Sequence, residues 1–151
     1  MYAPGRTSLL LDVMLGGLLS PLRMMGYDTA YALERGVEAD EAVLGLATSE
    51  GRVLLTRDVA VAERAREGIL IETTDPQAQL CELADVGFEL VLGEPTRCSR
   101  CNGRLDRCET GPGPENGPDP SSQAIWQCRS CEQFYWKGSH WEDLARRLEE
   151  C

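Results

Sequence analysis

Lysine is almost missing from this chain: Lys137 is the only one. Every other basic residue is arginine, giving 15 cationic side chains against 25 Asp and Glu and a formal net charge of -10. That balance excludes strong nonspecific binding to nucleic acid, because such affinity comes from counterions released around Lys and Arg. Any contact with RNA has to be local. An acidic, lysine-poor surface has two readings. It suits a halophilic cytoplasm, where exposed carboxylates keep the surface hydrated and repulsion is screened within a few ångströms; it also suits an ordinary acidic protein from a high-GC genome. Long apolar runs are missing as well. No segment reaches the length needed to cross a bilayer, and residues 1–8 lack the apolar stretch of a signal peptide. These absences predict a soluble, cytoplasmic protein without a membrane partner.

What is present is one ordinary core and a staple. A chain of 151 residues with 42% hydrophobic content buries one core, and a second module has to be small and held by something else. Seven cysteines, an odd number, argue against a disulfide framework. Four of them stand in two Cys-x-x-Cys pairs, Cys98/Cys101 and Cys128/Cys131, leaving Cys81, Cys108 and Cys151 scattered. Thiolates separated by two intervening residues reach one tetrahedral ion from a single turn, and two such turns close a four-sulfur structural Zn2+ site with no open position for water. His140 is superfluous as a ligand there and is expected to pack or hydrogen-bond at a helix start. Cys81, at an apolar position of "QAQLCELAD", is expected to be a buried small hydrophobe.

The chain up to residue 93 alternates short apolar strands with amphipathic segments. Strands are expected at "SLLLDV", "YDTAYA", "RVLLT" and "ILIET". Helices are expected at "MLGGLLSPLRMMG", at "ADEAVLGLATSEG" ending at Gly51, at "RDVAVAERAREG" ending at Gly68, and from Asp75 as N-cap with Pro76 following. Pro21 falls inside the first of these and demands a kink there or a fresh turn at Ser20. Continuous apolar strands between helices predict a parallel sheet covered on both faces, an α/β sandwich over residues 8–93. A zinc ribbon follows over 94–138, with a Gly/Pro-rich loop at 109–123 expected to be mobile. The chain closes over 139–151 with a helix packed back on the body, opened by capping-box spacing of Ser139 and Glu142 and striped by Trp141, Leu144 and Leu148.

The zinc site is closed, so catalysis has to come from the α/β part. Asp12 follows the first apolar run, Asp58 follows the third, and Asp40 with Glu41 opens the second helix. In a parallel sheet the carboxyl ends of strands share one edge, where ligands bind. Carboxylates gathered there repel one another unless a divalent cation neutralises them, and Mg2+ or Mn2+ retaining several waters suits such a site. Asp40 and Asp58 are also placed to act simply as helix N-caps. Thr56 and Arg57 are placed to order the edge and contact a phosphate.

The set "LLLDVMLG", "LRMMGYD", "ADEAVLGLA" and "GRVLLTRD", followed by two Cys-x-x-Cys pairs and "YWKGSHW", resembles the Mut-seven C-terminal RNase domain family over about residues 8 to 145. The resemblance implies a PIN-like nuclease sandwich with a C-terminal zinc ribbon, a metal-dependent ribonuclease with RNA as partner, and Asp12, Asp40, Glu41 and Asp58 as its acidic cluster. It also implies an RNA contact at Arg23. The chain departs from that pattern at Gly17, where many such members carry a basic residue, and at Pro21. Five of the nine aromatics lie between Trp126 and Trp141. Trp126, Phe134, Tyr135 and Trp136 are expected to build the ribbon core and dock it, and such faces also stack unpaired bases. Two further readings stand beside the enzyme: a noncatalytic, ribosome-associated or RNA-binding adaptor, and the toxin of a toxin and antitoxin pair. No protein partner is legible in the chain.

Overall fold

The computed structural model describes all 151 residues. Four parallel strands, β1 (Ser8–Leu11), β2 (Asp28–Tyr31), β3 (Val53–Thr56) and β4 (Gly68–Leu70), form one sheet in the order β2-β1-β3-β4. Alternate residues of the central strands serve opposite faces. Leu9, Leu11, Val53 and Leu55 join one core with Leu15, Leu22, Leu80, Leu83 and Leu144, whereas Leu10, Ala30 and Leu54 join a second with Val43, Ala47 and Val61. The first face is covered by α1 (Leu19–Met24), α4 (Pro76–Asp85) and α5 (Ser139–Glu149), and the second by α2 (Asp40–Glu50) and α3 (Val59–Arg64). Three layers follow directly from β1, in which Leu9, Leu10 and Leu11 are all fully buried. Each such leucine contributes roughly 1.5–3 kcal/mol.

Several local expectations are refined by packing. The first helical segment is two pieces, a 3-10 helix over Val13–Leu18 and then α1, so the restart falls at Leu19. Pro21 sits in the first turn of α1, where a backbone N–H has no helical partner to lose, and the proline is tolerated. Gly51 ends α2 in the left-handed conformation, as expected, and Asp75 caps α4 by accepting from the Ala78 N–H. Helix α3 stops at Arg64, earlier than the expected Gly68, because Gly68 is already paired to Leu54 as the start of β4. The capping box of α5 does not form. Gly138 is the N-cap and Ser139 is already helical, since the chain turns tightly against Trp136, leaving no room for a Cβ at residue 138. Cys81 is not a plain buried hydrophobe: it forms a disulfide with Cys151, 70 residues away. Packing of α5 on α4, with Gln77 and Arg147 hydrogen-bonded to each other, brings these two cysteines together, a proximity that sequence separation conceals.

The ribbon is a second, antiparallel sheet of β5 (Leu105–Cys108), β6 (Ile125–Cys128) and β7 (Phe134–Tyr135). Residues 109–124 carry no helix or strand. Its first cysteine turn docks on the edge strand β2. There the Asn102 side chain accepts from the Thr29 N–H and donates to Asp28 Oδ1, while Asp28 also pairs with Arg52 at 2.8 Å. An otherwise open sheet edge is thereby closed. Arg23 completes the joint. Only 2% exposed, it donates to the carbonyls of Thr29, Ser99 and Arg100 and pairs with Glu34 at 2.9 Å. The expectation that Arg23 contacts RNA is therefore corrected: its donors are spent inside the protein, tying body to ribbon.

Arg23→Ala leaves three carbonyls short of a donor, and we expect it to destabilise the chain by about 3 kcal/mol in urea unfolding, from roughly 1–3 kcal/mol for each buried group left unsatisfied. A cost below the error of the measurement would show that the joint is not held this way. Burial pushes the Asp28 carboxyl up, but hydrogen bonds from Asn102 and Arg52 outweigh it and hold the group below the usual carboxylate range. Stabilisation from a lowered carboxylate is complete above the unfolded value of about 3.9 and is lost as pH falls through the folded one. The stability difference between wild type and Asp28→Asn should therefore be constant from pH 7 to about pH 5 and shrink only as pH falls below the unfolded value, through the lowered folded one.

Candidate functional site

Two sites emerge. The first lies where β1 and β3 end side by side. Asp12 continues the pairing by donating its N–H to the Leu55 carbonyl. Its carboxylate accepts from the Val13 N–H at 2.9 Å, capping the 3-10 helix, and from the Thr56 hydroxyl at 2.7 Å. The same Thr56 hydroxyl accepts the Asp58 N–H at 3.1 Å. Asp58 caps α3 through the Val61 N–H, leaving its other oxygen free. One hydroxyl, fully buried, thus links the Asp12 carboxylate to the backbone of Asp58 at the neighbouring strand end. Thr56 has no exposed surface to offer a substrate, so its expected phosphate contact is corrected: it positions Asp12 and Asp58.

Tyr31 braces the turn beyond Asp12. Its hydroxyl donates to the Val13 carbonyl at 2.8 Å and lies where a Cβ on residue 16 would stand, which is why glycine follows Leu15. Burial raises the Tyr31 phenol, and the negative charges of Glu34 and Asp12 raise it further. No sequence motif pointed to Tyr31; its one signal was a polar-tipped aromatic at the end of a strand beside an acid.

Asp40 and Glu41 open α2, and both are exposed. Asp40 does not cap the helix, because Ala39 occupies the cap position with no side-chain bond. Glu41 pairs with Arg64, at the other end of α3 from Asp58, a separation of about 9 Å along the helix. The fold therefore joins Asp12 to Asp58 and leaves Asp40 and Glu41 on the flank. The oxygens of Asp12, Asp40 and Asp58 do not converge within 4.8 Å, a spacing that the four sulfurs described below do reach. Arg57 projects beside this edge with one long bond, 3.3 Å to the Glu72 carbonyl, and its buried Nε has no partner.

The second site is the thiolate cluster. Cys98, Cys101, Cys128 and Cys131 place their sulfurs within 4.8 Å of one another, with Cys98–Cys131 at 3.6 Å and Cys101–Cys128 at 3.5 Å. A regular tetrahedron of sulfurs about 2.3 Å from a zinc ion has edges of about 3.8 Å, so the set fits one Zn2+. Backbone N–H groups of Cys101, Ser130 and Cys131 point at ligand sulfurs, and the Tyr135 hydroxyl lies 2.9 Å from Cys98 Sγ. Gly103 is required by space: a Cβ there would stand 2.7 Å from Cys128 Sγ. Asn102 beside it takes a left-handed φ of 71°, a conformation asparagine tolerates well. His140 is exposed and lies outside the cluster.

A parallel α/β sandwich with acids at the carboxyl edge, joined to a small antiparallel ribbon whose four cysteines fit one Zn2+, defines the class of protein. Residues 7–148 match the Mut7-C RNAse domain, and the chain belongs to that family. No curated protein and no solved structure matches it. Membership places the chain in an RNase family, with RNA as the substrate class that the family's description carries. No helix is long and apolar enough to cross a membrane.

Cys101→Ser, or removal of bound metal with a strong chelator, should abolish stoichiometric zinc binding and loosen the turn that meets Arg23. Hydrogen exchange should then quicken at Thr29 and across β6 while the amides of β1 and β3 stay protected. Unchanged protection of Thr29 in the zinc-free protein would sink the claim that the ion holds the joint.

Proposed function

We propose that this protein is a metal-dependent ribonuclease that hydrolyses RNA phosphodiester bonds at the edge formed by Asp12 and Asp58, with the zinc ribbon in a structural role. The observation that carries the reading is the Thr56 hydroxyl shared between these two acids. Thr56 fixes the Asp12 carboxylate and, through the backbone N–H, the start of the Asp58 turn, so two acids stand at neighbouring strand ends with one Asp58 oxygen unengaged, a placement that a positive charge brought to them would explain. Asp12, Asp58 and Asp40 would hold Mg2+ or Mn2+, and the wide placement of Asp40 suits a cation that keeps several waters. Such an ion, when bound, makes water a stronger nucleophile and offsets charge on the phosphate.

The chain's own residues supply orientation. Thr56 and the Val13 N–H hold the Asp12 carboxylate in one rotamer, Tyr31 fixes the turn beyond it, and the terminal guanidinium nitrogens of Arg57, engaged in one long bond, meet a phosphate oxygen. Glu41 is the assisting acid. Its pair with Arg64 is solvent-exposed, so freeing it costs at most about 1 kcal/mol. A noncatalytic RNA-binding adaptor is the second reading, favoured by the failure of Asp12, Asp40 and Asp58 to converge within 4.8 Å.

End-labelled single-stranded and structured RNAs, incubated with Mn2+ or Mg2+ in low and molar KCl, decide between the two. The ribonuclease reading expects metal-dependent products, abolished by EDTA and reduced by about a hundredfold or more in Asp12→Asn and Asp58→Asn. Thr56→Val should lower kcat by roughly ten- to a hundredfold, through misplacement of Asp12, with Thr56→Ser restoring most of it. Folded, zinc-loaded protein that binds these RNAs without cutting any establishes the adaptor instead.

A further inference from the structure

Between the α/β body and the ribbon runs a cleft of about 850 Å3 that neither the acidic edge nor the zinc site accounts for. One wall is the 3-10 helix from Gly16 and the start of α1; the other is β7 and the first turns of α5. Phe134, Trp136 and Trp141 line it and are each only half-buried. A small ribbon that needs aromatic core would bury such rings, as it does Trp126 at 5% exposed. Part of each ring is left to the cleft.

The charge in the cleft runs against the rest of the molecule. Seven of the fourteen arginines are paired to carboxylates. Arg100 and Arg147, both on the cleft wall, are not: their side chains reach only the amide oxygens of Gln133 and Gln77. The acid on that wall, Asp143, is already paired with Arg146. The chain's one lysine, Lys137, stands over the Trp141 ring at 5.1 Å. In a chain of net charge -10, aromatic faces and uncompensated cations coincide here. The cleft wall begins near the acids, since Gly16 on it is four residues beyond Asp12 along a 3-10 helix, on the order of 8 Å.

We propose that this cleft binds a single strand of RNA, with bases stacked on Trp136 and Trp141 and phosphates on Arg100 and Arg147, and delivers the strand to Asp12. Delivery to Asp12 rests on the ribonuclease reading, whereas strand binding does not. Stacking needs unpaired bases, so duplex RNA is excluded from the cleft. The acidic remainder of the surface repels backbone phosphates and confines binding to this track.

The test is fluorescence anisotropy with a fluorescein-labelled oligouridine and a labelled RNA duplex, on zinc-loaded full chain without added Mg2+ or Mn2+. Trp141→Ala should weaken oligouridine binding by about tenfold or more, and Trp141→Phe should restore most of it. Arg100→Gln with Arg147→Gln should weaken binding and flatten the slope of log affinity against log salt by about 1.4, at roughly 0.7 per lost phosphate contact. Arg100 is exposed, so Arg100→Gln alone probes the cleft even if a tryptophan variant fails to fold. Cleft variants that bind oligouridine like wild type, or a wild type that prefers duplex, overturn the proposal, whatever protein is then found to occupy the cleft. Asp12→Asn should keep oligouridine affinity. Cleft-dependent binding with no cleavage of any RNA sinks the ribonuclease and keeps the strand site, while cleavage whose KM ignores the cleft variants sinks the strand site alone.

Discussion

A single buried guanidinium holds the two halves of this molecule together. Arg23 reaches from α1 to the end of β2 and on to the carbonyls of the first cysteine turn. A guanidinium buried this deeply is tolerable only if its donors are satisfied, and two of its acceptors have their geometry set by the four-sulfur cluster. The zinc site therefore does more than fold a small ribbon. It shapes a surface of carbonyls and one asparagine that caps the open edge of the parallel sheet, and the cleft between ribbon and body exists because that joint sets their spacing.

The acidic edge is built on a similar economy of polar groups. Asp12 and Asp58 each serve as a helix cap, and a cap alone would account for an aspartate at either place. What caps do not account for is Thr56, whose hydroxyl is fully buried and divided between both acids. Desolvated polar groups are costly unless paired, so this arrangement fixes the Asp12 carboxylate and the backbone turn at Asp58 together. Asp40 and Glu41 answer to a different helix and keep their distance, which makes the edge a frame open on one flank.

Much of this was legible beforehand because it rests on short-range rules. Two Cys-x-x-Cys pairs, apolar runs such as "SLLL", and Asp75 followed by Pro76 state their structures within a few residues. Asp12 is legible as an acid following the first apolar strand, though its partner Thr56 is not. Its place at the strand edge makes Thr56 look like a substrate contact, and the family resemblance does the same for Arg23; burial turns each inward. Cys81 was read as an apolar filler because its partner lies 70 residues away, across a helix pairing that no local pattern announces. The capping box of α5 failed for a comparable reason, as the approach of Trp136 to Gly138 moved the helix start by one residue.

The sequence by itself determined the four strands of the parallel sheet, its parallel class and the four cysteines of the metal-ligand set, since each follows from periodicity or from spacing within one turn; the family showed in the resemblance of whole motifs. Only the tertiary structure decided which polar groups face each other. That Thr56 joins Asp12 to Asp58, that Arg23 is a strut, and that Trp136, Trp141, Arg100 and Arg147 share one cleft depend on how separate elements dock. Docking is settled by which buried donors find acceptors across the whole chain, a condition that no local stretch of residues contains.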